Sequence, residues 1–467
     1  MTSGEIGAMN NVTVSNGDRS RLLIAILIAV FVVPLSVSGT AVALADIAHD
    51  FGADPVGQQW ALNGFNVTFA ASTLAWGSLA DRIGRWRSFQ IGGLIFILAS
   101  VLSFLASNYL MLDTSRILAG LGAGAIFSVG SALLSVVFTG PERARMFSFM
   151  GAMAGLSLAF GPTLSGVVTQ TIGWRYIFAI QGSLLILSVA LMLSSRRATR
   201  GEPRATSVFD WPAAVLFFGF TAALVTALVF GSSGQWLTVM VLVPVVFASL
   251  CLVGLFIRER NVEHPLLNMK LIVQPHFLGI SLVVAVASFA FASFVTYTPS
   301  LVQASLAFTP AGSGLFVMFM TIPTLLAPLL AGVIVARGIA PRAVLTVSLV
   351  LMVLGSASVS LAAESSALFL APLMVLLGAG FGLHAGLVDN EGLAAVPGSE
   401  AGMAAGWINT MRVGTEAIAV SLFGAVFVPA LAQSGAATAF RMIGLISAGL
   451  SLIVSLVSIT AMYKKQK

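Results

Sequence analysis

The chain is dominated by runs of about 20 apolar residues, which follow one another from Leu22 to Met462. A helix of that length crosses the hydrocarbon core of a bilayer. Hydrophobic residues make up 58% of the chain and charged residues only 9%. A chain of this composition exposes so much apolar surface that lipid can solvate it but water cannot. The runs are continuous rather than alternating, which excludes a membrane β-barrel. The sequence therefore predicts an all-α polytopic membrane protein.

Polar breaks divide the apolar runs into fourteen candidate spans. Six precede a basic linker at Ser194–Asp210, two lie at Trp211–Phe230 and Trp236–Ile257, and six follow a second linker at Arg258–Lys270. Because each central run is long enough to cross, fourteen spans are preferred to twelve. The predicted division is a tail at 1–20, a six-helix bundle at 21–194, linkers flanking two inserted helices at 195–274, a six-helix bundle at 275–463 and a tail at 464–467.

Positive charge is concentrated on one side of this predicted map. Nineteen of the 23 Lys and Arg residues fall in tails and loops of that side, and the exceptions are Arg116, Arg175, Arg412 and Arg441. Because basic loops stay in the cytoplasm, both termini are predicted to be cytoplasmic, with the protein in the inner (plasma) membrane. The net charge of +6 thus reflects topology, so we expect a lipid bilayer and no nucleic acid as partner.

Several kinds of chemistry are not indicated. Cys251 is the only cysteine, so no intramolecular disulfide can form. The sequence has no zinc-ligand spacing, nucleophile elbow or phosphate-binding loop, so we expect no metal and no cofactor. A membrane-embedded enzyme is accordingly a remote alternative. A sensor that does not transport is another alternative, but the loops are short and offer no signalling domain.

The loop after the second span begins at Gly77 and reads GSLADRIGRWR. Gly77 and Gly84 permit a tight turn and a close approach of helices. Asp81 is predicted to lie at the N-terminus of a neighbouring helix or to pair with Arg82 or Arg85, which would lock the cytoplasmic face. Alternatively, the loop is basic only to fix the topology.

The fifth span contains the stretch GLSLAFGPTLSG, which begins at Gly155. Gly161, Pro162 and Gly166 follow in the same stretch. Glycine permits close helix packing and proline a bend, so the stretch is predicted to pack against neighbouring helices. Small-residue packing of the kind found in any membrane helix is the alternative.

Together these stretches resemble the signatures of the major facilitator superfamily, the first in its cytoplasmic loop and the second in the fifth helix of its antiporters. SRILAGLGAGA is similar to the fourth-helix motif and places Arg116 at the position of the membrane-embedded arginine. GWRYIF, RERNVEHPLLNM and AGWINTMR resemble the fourteen-helix drug:proton antiporter branch. The resemblance implies the major facilitator fold, with two six-helix bundles plus two inserted central helices.

The first span departs from that branch. Where the branch usually carries an aspartate, the stretch LSVSGTAVALADIA places Ser36. A serine cannot carry the proton or cation that an aspartate would. Any proton coupling must therefore use other acids.

Glu416 is the acid nearest the middle of a span, with Arg412 one turn away on the same helix face. Each charge lowers the cost of burying the other, so the sequence predicts that the two side chains pair. Glu416 is then a candidate for proton coupling or substrate binding, with Arg412 tuning its pKa. A pair that only fixes helix packing is the alternative.

Other polar residues within or near the spans are further candidates. Asp389 and Glu391 are predicted either in water at the cytoplasmic end of the twelfth span or at the inner mouth of a cavity. Arg116 is a proton-coupling candidate and could pair with Asp113. His384 is interpreted either as a packing histidine or as a proton relay.

Two further groups of residues are an acidic stretch at the end of the first span and the polar and aromatic residues of the second span. The acidic stretch with Asp46, His49, Asp50 and Asp54 is predicted to be a solvated outer loop. The second span offers polar and aromatic side chains for the lining of a cavity, although hydrogen bonding between helices explains its asparagines equally well. The candidate lining residues are Trp60, Asn63, Phe65 and Asn66.

The sequence therefore predicts a secondary active transporter, which we expect to be a monomer. The preferred function is proton-coupled export of small amphipathic drugs or toxic compounds by alternating access. Export of an anionic or zwitterionic metabolite, with Arg116 or Arg412 as the anion partner, is the alternative within transport.

Overall fold

The computed structural model describes residues 16–52, 55–196, 209–231, 236–262, 267–308, 310–361 and 367–464. The predicted tails and linkers lie partly outside these described residues, at 1–15, 197–208, 263–266 and 465–467. Residues 16–20, which were predicted to belong to the N-terminal tail, are already part of the first helix.

All regular structure in the described residues is helical. The helices are α1 Asn16–Phe51, α2 Pro55–Ile83, α3 Arg85–Phe104, α4 Tyr109–Val137, α5 Gly140–Ile172, α6 Arg175–Ser194, α7 Trp211–Gly231, α8 Val239–Asn261, α9 Met269–Ile272, α10 Pro275–Leu306, α11 Pro310–Ala336, α12 Pro341–Leu361, α13 Ala367–His384, α14 Leu387–Ala394, α15 Ala401–Ser434 and α16 Ala436–Tyr463.

Twelve segments of the described chain are long and apolar enough to cross a membrane, with α13 and α14 counted together as one. They include α7 and α8, the two central helices. The long helices α2 and α15, of 29 and 34 residues, are outside this set. Both contain polar side chains in their middle turns, among them Asn63 and Asn66 in α2 and Arg412 and Glu416 in α15.

The helices pack into two halves. In the N-terminal half, α4 packs on α2 and α3, while α1 packs on α5 and α6. In the C-terminal half, α16 packs on α10 and α12, and α13 packs on α11 and α12. The halves meet along two seams, one between α2 and α15 and one between α5 and α11. Helix α7 packs on α8 and also contacts both α2 and α15, so it lies along the first seam.

One end of this bundle carries most of the described arginines and is called the basic end below. Its members are Arg19, Arg21, Arg82, Arg85, Arg87, Arg143, Arg145, Arg196, Arg258, Arg260, Arg337 and Arg342. At this end, Gly84 adopts φ 100° between α2 and α3, which gives the tight turn that the sequence predicted.

The opposite end of the N-terminal half is held together by Asp50. The sequence predicted a solvated loop here, but Asp46, His49 and Asp50 belong to the last turns of α1, and Asp54 lies outside the described residues. The Asp50 carboxylate accepts hydrogen bonds from Trp174 Nε1 at 2.9 Å and Arg175 Nη1 at 2.6 Å. These bonds, with Trp174 contributing most, lower the pKa of Asp50 below its ordinary value.

Candidate functional site

A cavity of about 460 Å³ lies at the centre of the molecule, between the two halves. Its wall comprises residues of α1, α2, α4 and α5 on one side, of α10, α11 and α13–α15 on the other, and of α7. Most of the lining is apolar, and four phenylalanines contribute to it: Phe69, Phe127, Phe291 and Phe381. This volume and chemistry are those of a site for a small organic molecule.

A smaller set of polar side chains lines the same cavity. The uncharged ones are Ser38, Asn63, Asn66, Thr296 and Thr324. The ionisable ones are His384, Asp389, Arg412 and Glu416, and all four belong to α13–α15. Two carboxylates and one guanidinium give these groups a formal net charge of −1 when both acids are ionised. The ionisable side chains of the cavity wall therefore all come from the C-terminal half.

Arg412 pairs with Asp389 and not with Glu416, so the predicted pairing was wrong. Arg412 Nη2 lies 3.0 Å from Asp389 Oδ2, and Arg412 Nη1 donates a hydrogen bond to Asn409 Oδ1. The spacing of four residues does place Arg412 and Glu416 on one face of α15. The guanidinium nevertheless reaches across to α14, where a buried carboxylate is available. Asp389, 3% exposed, needs such a partner because an unpaired buried charge is costly.

Asp389 and Glu391 occupy different environments, although only one residue, Asn390, lies between them. Asp389 lines the cavity and is buried, which excludes the predicted alternative of a residue in water. Glu391 is half-buried, does not line the cavity, and accepts a hydrogen bond from Asn390 Nδ2 at 3.1 Å. Asn390 Oδ1 accepts in turn from Arg143 Nε at 2.8 Å, which links α14 to α5.

A break between α13 and α14 brings Asp389 to the cavity. Ala385 and Gly386 interrupt the helix, and Gly386 adopts φ 74°, a conformation that favours glycine. Gly386 also lies directly against the backbone of Phe147 in α5, where no side chain would fit. The sequence GFGLHAG marks a region of small residues, but it does not reveal where the helix breaks.

His384 is the last residue of α13 and lies in the cavity wall. It is 1% exposed, and its ring packs edge-on against Phe381 with centroids 5.0 Å apart. Among the described residues, neither ring nitrogen has a partner with normal hydrogen-bond geometry. The backbone groups of Gly380 and Phe381 approach the ring with looser geometry, so the packing histidine and the proton relay both stay predictions.

Arg116 lies outside the cavity, inside the N-terminal half. It is 1% exposed and donates to Ser36 Oγ at 2.7 Å, to the Ser36 carbonyl at 3.1 Å and to the Ala61 carbonyl at 3.2 Å. Its guanidinium also lies over the rings of Phe65 and Phe178, at 4.6 and 5.7 Å. The suggested pair with Asp113 is thus not formed. The serine that replaces the expected first-helix acid is the residue that Arg116 contacts.

Only half of the predicted cavity lining in α2 is correct. Asn63 and Asn66 line the cavity, whereas Trp60 and Phe65 do not. Trp60 packs against Phe230 of α7, with ring centroids 6.4 Å apart, and Phe65 is fully buried beneath Arg116. Aromatic residues suit both packing and lining, so their type could not decide between the two.

At the basic end, Asp81 makes both contacts that the sequence predicted for it. Its carboxylate accepts hydrogen bonds from the backbone N–H groups of Gly402 and Met403, at 2.9 and 3.0 Å, in the first turn of α15. It also pairs with Arg85 Nη2 at 2.6 Å, and the side chain is 3% exposed. A carboxylate at a helix N-terminus satisfies free N–H groups and complements the helix dipole.

The rest of the loop supports this contact. The backbones of Gly77 and Gly402 touch, so that neither position has room for a side chain. Arg85 also donates to the Gly398 carbonyl, and Arg82 donates to the Ser78 carbonyl at 2.6 Å. The loop therefore joins the two halves at the α2–α15 seam.

Comparison with known proteins assigns the chain to a family. The sequence model of the Major Facilitator Superfamily matches residues 26–420. The chain belongs to the major facilitator superfamily. It is therefore a multi-pass membrane transporter of small molecules and not an enzyme, as the sequence predicted.

Its relatives in the superfamily include bacterial resistance proteins. The multidrug resistance protein Stp of Mycobacterium tuberculosis is 28% identical over 417 residues, which cover 88% of this chain and 76% of the relative. The puromycin resistance protein pur8 of Streptomyces alboniger is 30% identical over 421 residues, which cover 86% of this chain and 81% of the relative. The drug efflux pump JefA of Mycobacterium tuberculosis is 27% identical over 397 residues, which cover 84% of this chain and 78% of the relative.

Solved structures of the superfamily share the fold. The human organic anion transporter MFSD10 (TETRAN) aligns with a TM-score of 0.68 at 15% identity, covering 94% of this chain and 99% of that structure. The proton:xylose symporter XylE aligns with a TM-score of 0.62 at 15% identity, covering 96% and 100%. At this identity the likeness concerns the fold alone.

Two glycines of the fifth-helix stretch that begins at Gly155 lie at close helix contacts. A methyl group on Gly155 would lie 2.5 Å from the Thr324 carbonyl oxygen of α11, and one on Gly161 would lie 2.5 Å from Ser38 Oγ of α1. Gly166 faces Val42 at a looser 3.9 Å, and Pro162 is exposed. Gly155 therefore sets the close approach of the two halves at the α5–α11 seam.

Val225 of α7 is a cavity residue that sequence reasoning missed. It lies within a uniformly apolar run, so nothing in its neighbourhood distinguishes it from lipid-facing valines. Contacts across the seam, such as that between the Thr73 and Thr410 hydroxyls at 2.9 Å, were missed as well. Both depend on which helices become neighbours.

Proposed function

We propose that this transporter exports small amphipathic compounds in exchange for protons. The observation that carries the proposal is the central cavity, in which four phenylalanines surround a site with two carboxylates and one guanidinium. Apolar and aromatic walls suit the hydrophobic body of such compounds. Ionisable groups within a spanning region are costly, so their presence there calls for a functional role. The names of the relatives Stp, pur8 and JefA point in the same direction.

The contacts between the halves support alternating access. Asp81 joins α2 to α15 at the basic end, Thr73 meets Thr410 further along that seam, and Gly155 meets Thr324 on the other seam. We infer that these contacts close the cavity toward the basic end, and that substrate and solvent would then exchange through the opposite end. Rocking of the halves would break this seal and open the cavity toward the basic end.

Glu416 is the proposed proton-binding group. It lines the cavity, while Arg412, its nearest predicted partner, is bound to Asp389 and Asn409. Protonation of Glu416 would change the net charge of the cavity from −1 to zero. Such a change biases the equilibrium between the two open states and so couples proton binding to movement. With Ser36 in place of the first-helix acid, we place coupling in the C-terminal half.

The alternative substrate class, an anionic or zwitterionic metabolite, would need Arg116 or Arg412 as its partner, and we favour it less. Arg116 lies outside the cavity and donates to Ser36 and the Ala61 carbonyl. Arg412 lies in the cavity but is already paired with Asp389. Neither guanidinium is available as an anion partner in this conformation.

We further propose fourteen spans, which are the twelve apolar segments together with α2 and α15. At about 1.5 Å per residue, helices of 29 and 34 residues exceed the hydrocarbon thickness of a bilayer. Their polar side chains face the cavity rather than lipid. This division gives bundles at 21–194 and 275–463, with the inserted pair between them at 195–274. The transporter would act as a monomer in the inner membrane, with the basic end and both termini in the cytoplasm.

Single-cysteine labelling tests this topology. In a Cys251→Ser background, a membrane-impermeant maleimide should label Asp50→Cys from outside the cell, and Arg87→Cys and Arg337→Cys only from inside. Asp50 and Arg87 flank α2, so labelling of both from the same side would remove α2 from the set of spans. Ser232 and Arg200, outside the described residues, test the inserted pair by the same scheme, with labelling expected outside and inside respectively.

Proteoliposomes test the transport reaction. Vesicles containing the purified protein and an acidic interior should accumulate ethidium, a lipophilic cation, because protons leave as the dye enters. Collapse of the pH gradient with nigericin should release the dye, and protein-free vesicles provide the control. Ethidium movement that ignores the pH gradient would contradict proton coupling while leaving transport intact.

A further inference from the structure

The basic ends of the inserted helices α7 and α8 lie beside the contacts that join the two halves. In front of α7, the ring of Phe209 lies under the guanidinium of Arg82 in the last turn of α2, 5.4 Å from carbon to ring centroid. A cation within about 6 Å of an aromatic face is attracted to it. Arg82 directly follows Asp81, whose carboxylate binds the first turn of α15. The inserted pair is therefore attached to the N-terminal half next to the closing contact.

The segment after α8 is attached to the C-terminal half at the same place. Asn268 Nδ2 donates to both carboxylate oxygens of Glu400, at 3.0 and 3.3 Å. Glu400 is the last residue of the short helical turn Gly398–Glu400, and α15 begins at the next residue. The Gly398 carbonyl of this turn accepts a hydrogen bond from Arg85 of the N-terminal half. Asn268 is therefore bonded to the turn on which the N-terminal half closes.

The two attachment points are joined through the inserted pair itself. Asp210, immediately before α7, accepts hydrogen bonds from Arg258 Nε near the end of α8, at 3.2 and 3.3 Å. The Asp210 side chain is 3% exposed, so its charge needs this partner. Also in the last turns of α8, Glu259 Oε1 accepts from the N–H of Leu267, the residue before Asn268, at 3.3 Å. The contacts therefore form a connected path from one half to the other through α7 and α8.

From this path we propose that the inserted pair braces the conformation that is closed at the basic end. In this brace, Asn268 is a positioning residue that holds the Gly398–Glu400 turn in place through Glu400. The proposal rests on the alternating access proposed above, but not on the class of substrate or on the coupling ion. It gives the inserted helices a part in the movement of the two halves.

The geometry of opening explains how such a brace acts. Opening at the basic end separates Arg82 in the N-terminal half from the Gly398–Glu400 turn in the C-terminal half. Because the inserted pair is attached to both, its contact through Phe209 or through Asn268 must then break. Each contact stabilises the closed conformation and not the open one, and only such a difference shifts an equilibrium between two states. A hydrogen bond to a charged group contributes more than an exposed cation–π contact, so Asn268 is the residue to test.

The test exchanges donor and acceptor between the two side chains. Asn66 lines the cavity, so in Asn66→Cys/Cys251→Ser the labelling rate with an impermeant maleimide from the basic side measures opening at that end. Asn268→Asp keeps the shape of asparagine but places a second negative charge against Glu400, and should raise this rate about tenfold, as for a lost hydrogen bond to a charged group. Asn268→Asp/Glu400→Gln reverses the hydrogen bond and should return the rate to within about threefold of the parent.

Two further variants in the same background serve as controls. Asn261→Ala changes an exposed residue at the end of α8 and should label like the parent. Asp81→Asn weakens the closing contact directly and should raise the rate. Unchanged labelling in Asn268→Asp beside raised labelling in Asp81→Asn would overturn the brace and leave alternating access standing. A rate that stays raised in Asn268→Asp/Glu400→Gln would also overturn it, because the effect would not act through this pair.

The remaining outcomes are decided by the same measurement. If Asn268→Asp does not reach the membrane, Asn268→Ala replaces it, and should raise the rate about three- to tenfold because it removes the hydrogen bond without adding repulsion. An unchanged rate in Asn268→Ala would then overturn the brace. If neither Asp81→Asn nor the Asn268 variant raises the rate, closure at the basic end is refuted, and the brace with it.

Discussion

Glu416→Gln is expected to reduce ethidium accumulation driven by a pH gradient to the level of protein-free vesicles. Glutamine has nearly the shape of glutamate but cannot exchange a proton, so the cavity is fixed in its proton-bound charge state. The substrate cavity itself remains, so exchange of ethidium between the two sides without a gradient should continue at a reduced rate. Both reactions can be measured in the same proteoliposomes, with and without an imposed gradient.

The matched control for this prediction is Glu142→Gln, since Glu142 pairs with Arg19 at 3.3 Å on the surface, where its side chain is 49% exposed. This variant should retain gradient-driven accumulation, because exposed ion pairs contribute little. Full gradient-driven accumulation by Glu416→Gln would show that Glu416 does not carry the proton. Loss of both accumulation and exchange would instead assign Glu416 to substrate binding.

Asp81→Asn should lower export about tenfold or more while membrane insertion and dye binding persist. The neutral amide loses the ion pair with Arg85 and weakens the hydrogen bonds from the Gly402 and Met403 N–H groups. Hydrogen bonds to a charged group contribute about 1.5–3 kcal/mol each, so their loss shifts the balance between the two open states strongly. The conformation that is closed at the basic end should become rarer.

Two measurements check this prediction. Export of ethidium gives the functional effect, and a cysteine at Asn66 in a Cys251→Ser background reports opening of the cavity toward the basic end. Asp81→Asn should increase labelling of that cysteine by an impermeant maleimide added from the basic side. Asp50→Asn is the control, because Asp50 pairs with Arg175 within the N-terminal half at the opposite end. Normal export by Asp81→Asn would contradict a gating role for Asp81 and would indicate that the basic loop only fixes the topology.

The contacts of Asp81 could be predicted because the short stretch of chain around it allows few partners for its carboxylate. A carboxylate beside arginines, next to glycines that permit close approach, has only a helix N-terminus or an arginine as a good partner. The pairing of Arg412 could not be predicted in the same way. Spacing along α15 indicated Glu416, but the partner came from α14, whose break at Gly386 is a property of the packed molecule.

The length of the apolar runs and the distribution of the basic residues were enough to determine that the chain is a helical membrane protein. Lipid cannot form hydrogen bonds with backbone N–H and C=O groups, so only structures that bond these groups internally can cross a membrane. The tertiary structure alone decided which side chains face the cavity. In water, the polar face of a helix shows which side is exposed, but here the lipid-facing and protein-facing sides are both apolar. The sequence therefore does not distinguish Val225, which lines the cavity, or Phe65, which is buried beneath Arg116, from lipid-facing residues. Their positions follow only from how the helices pack.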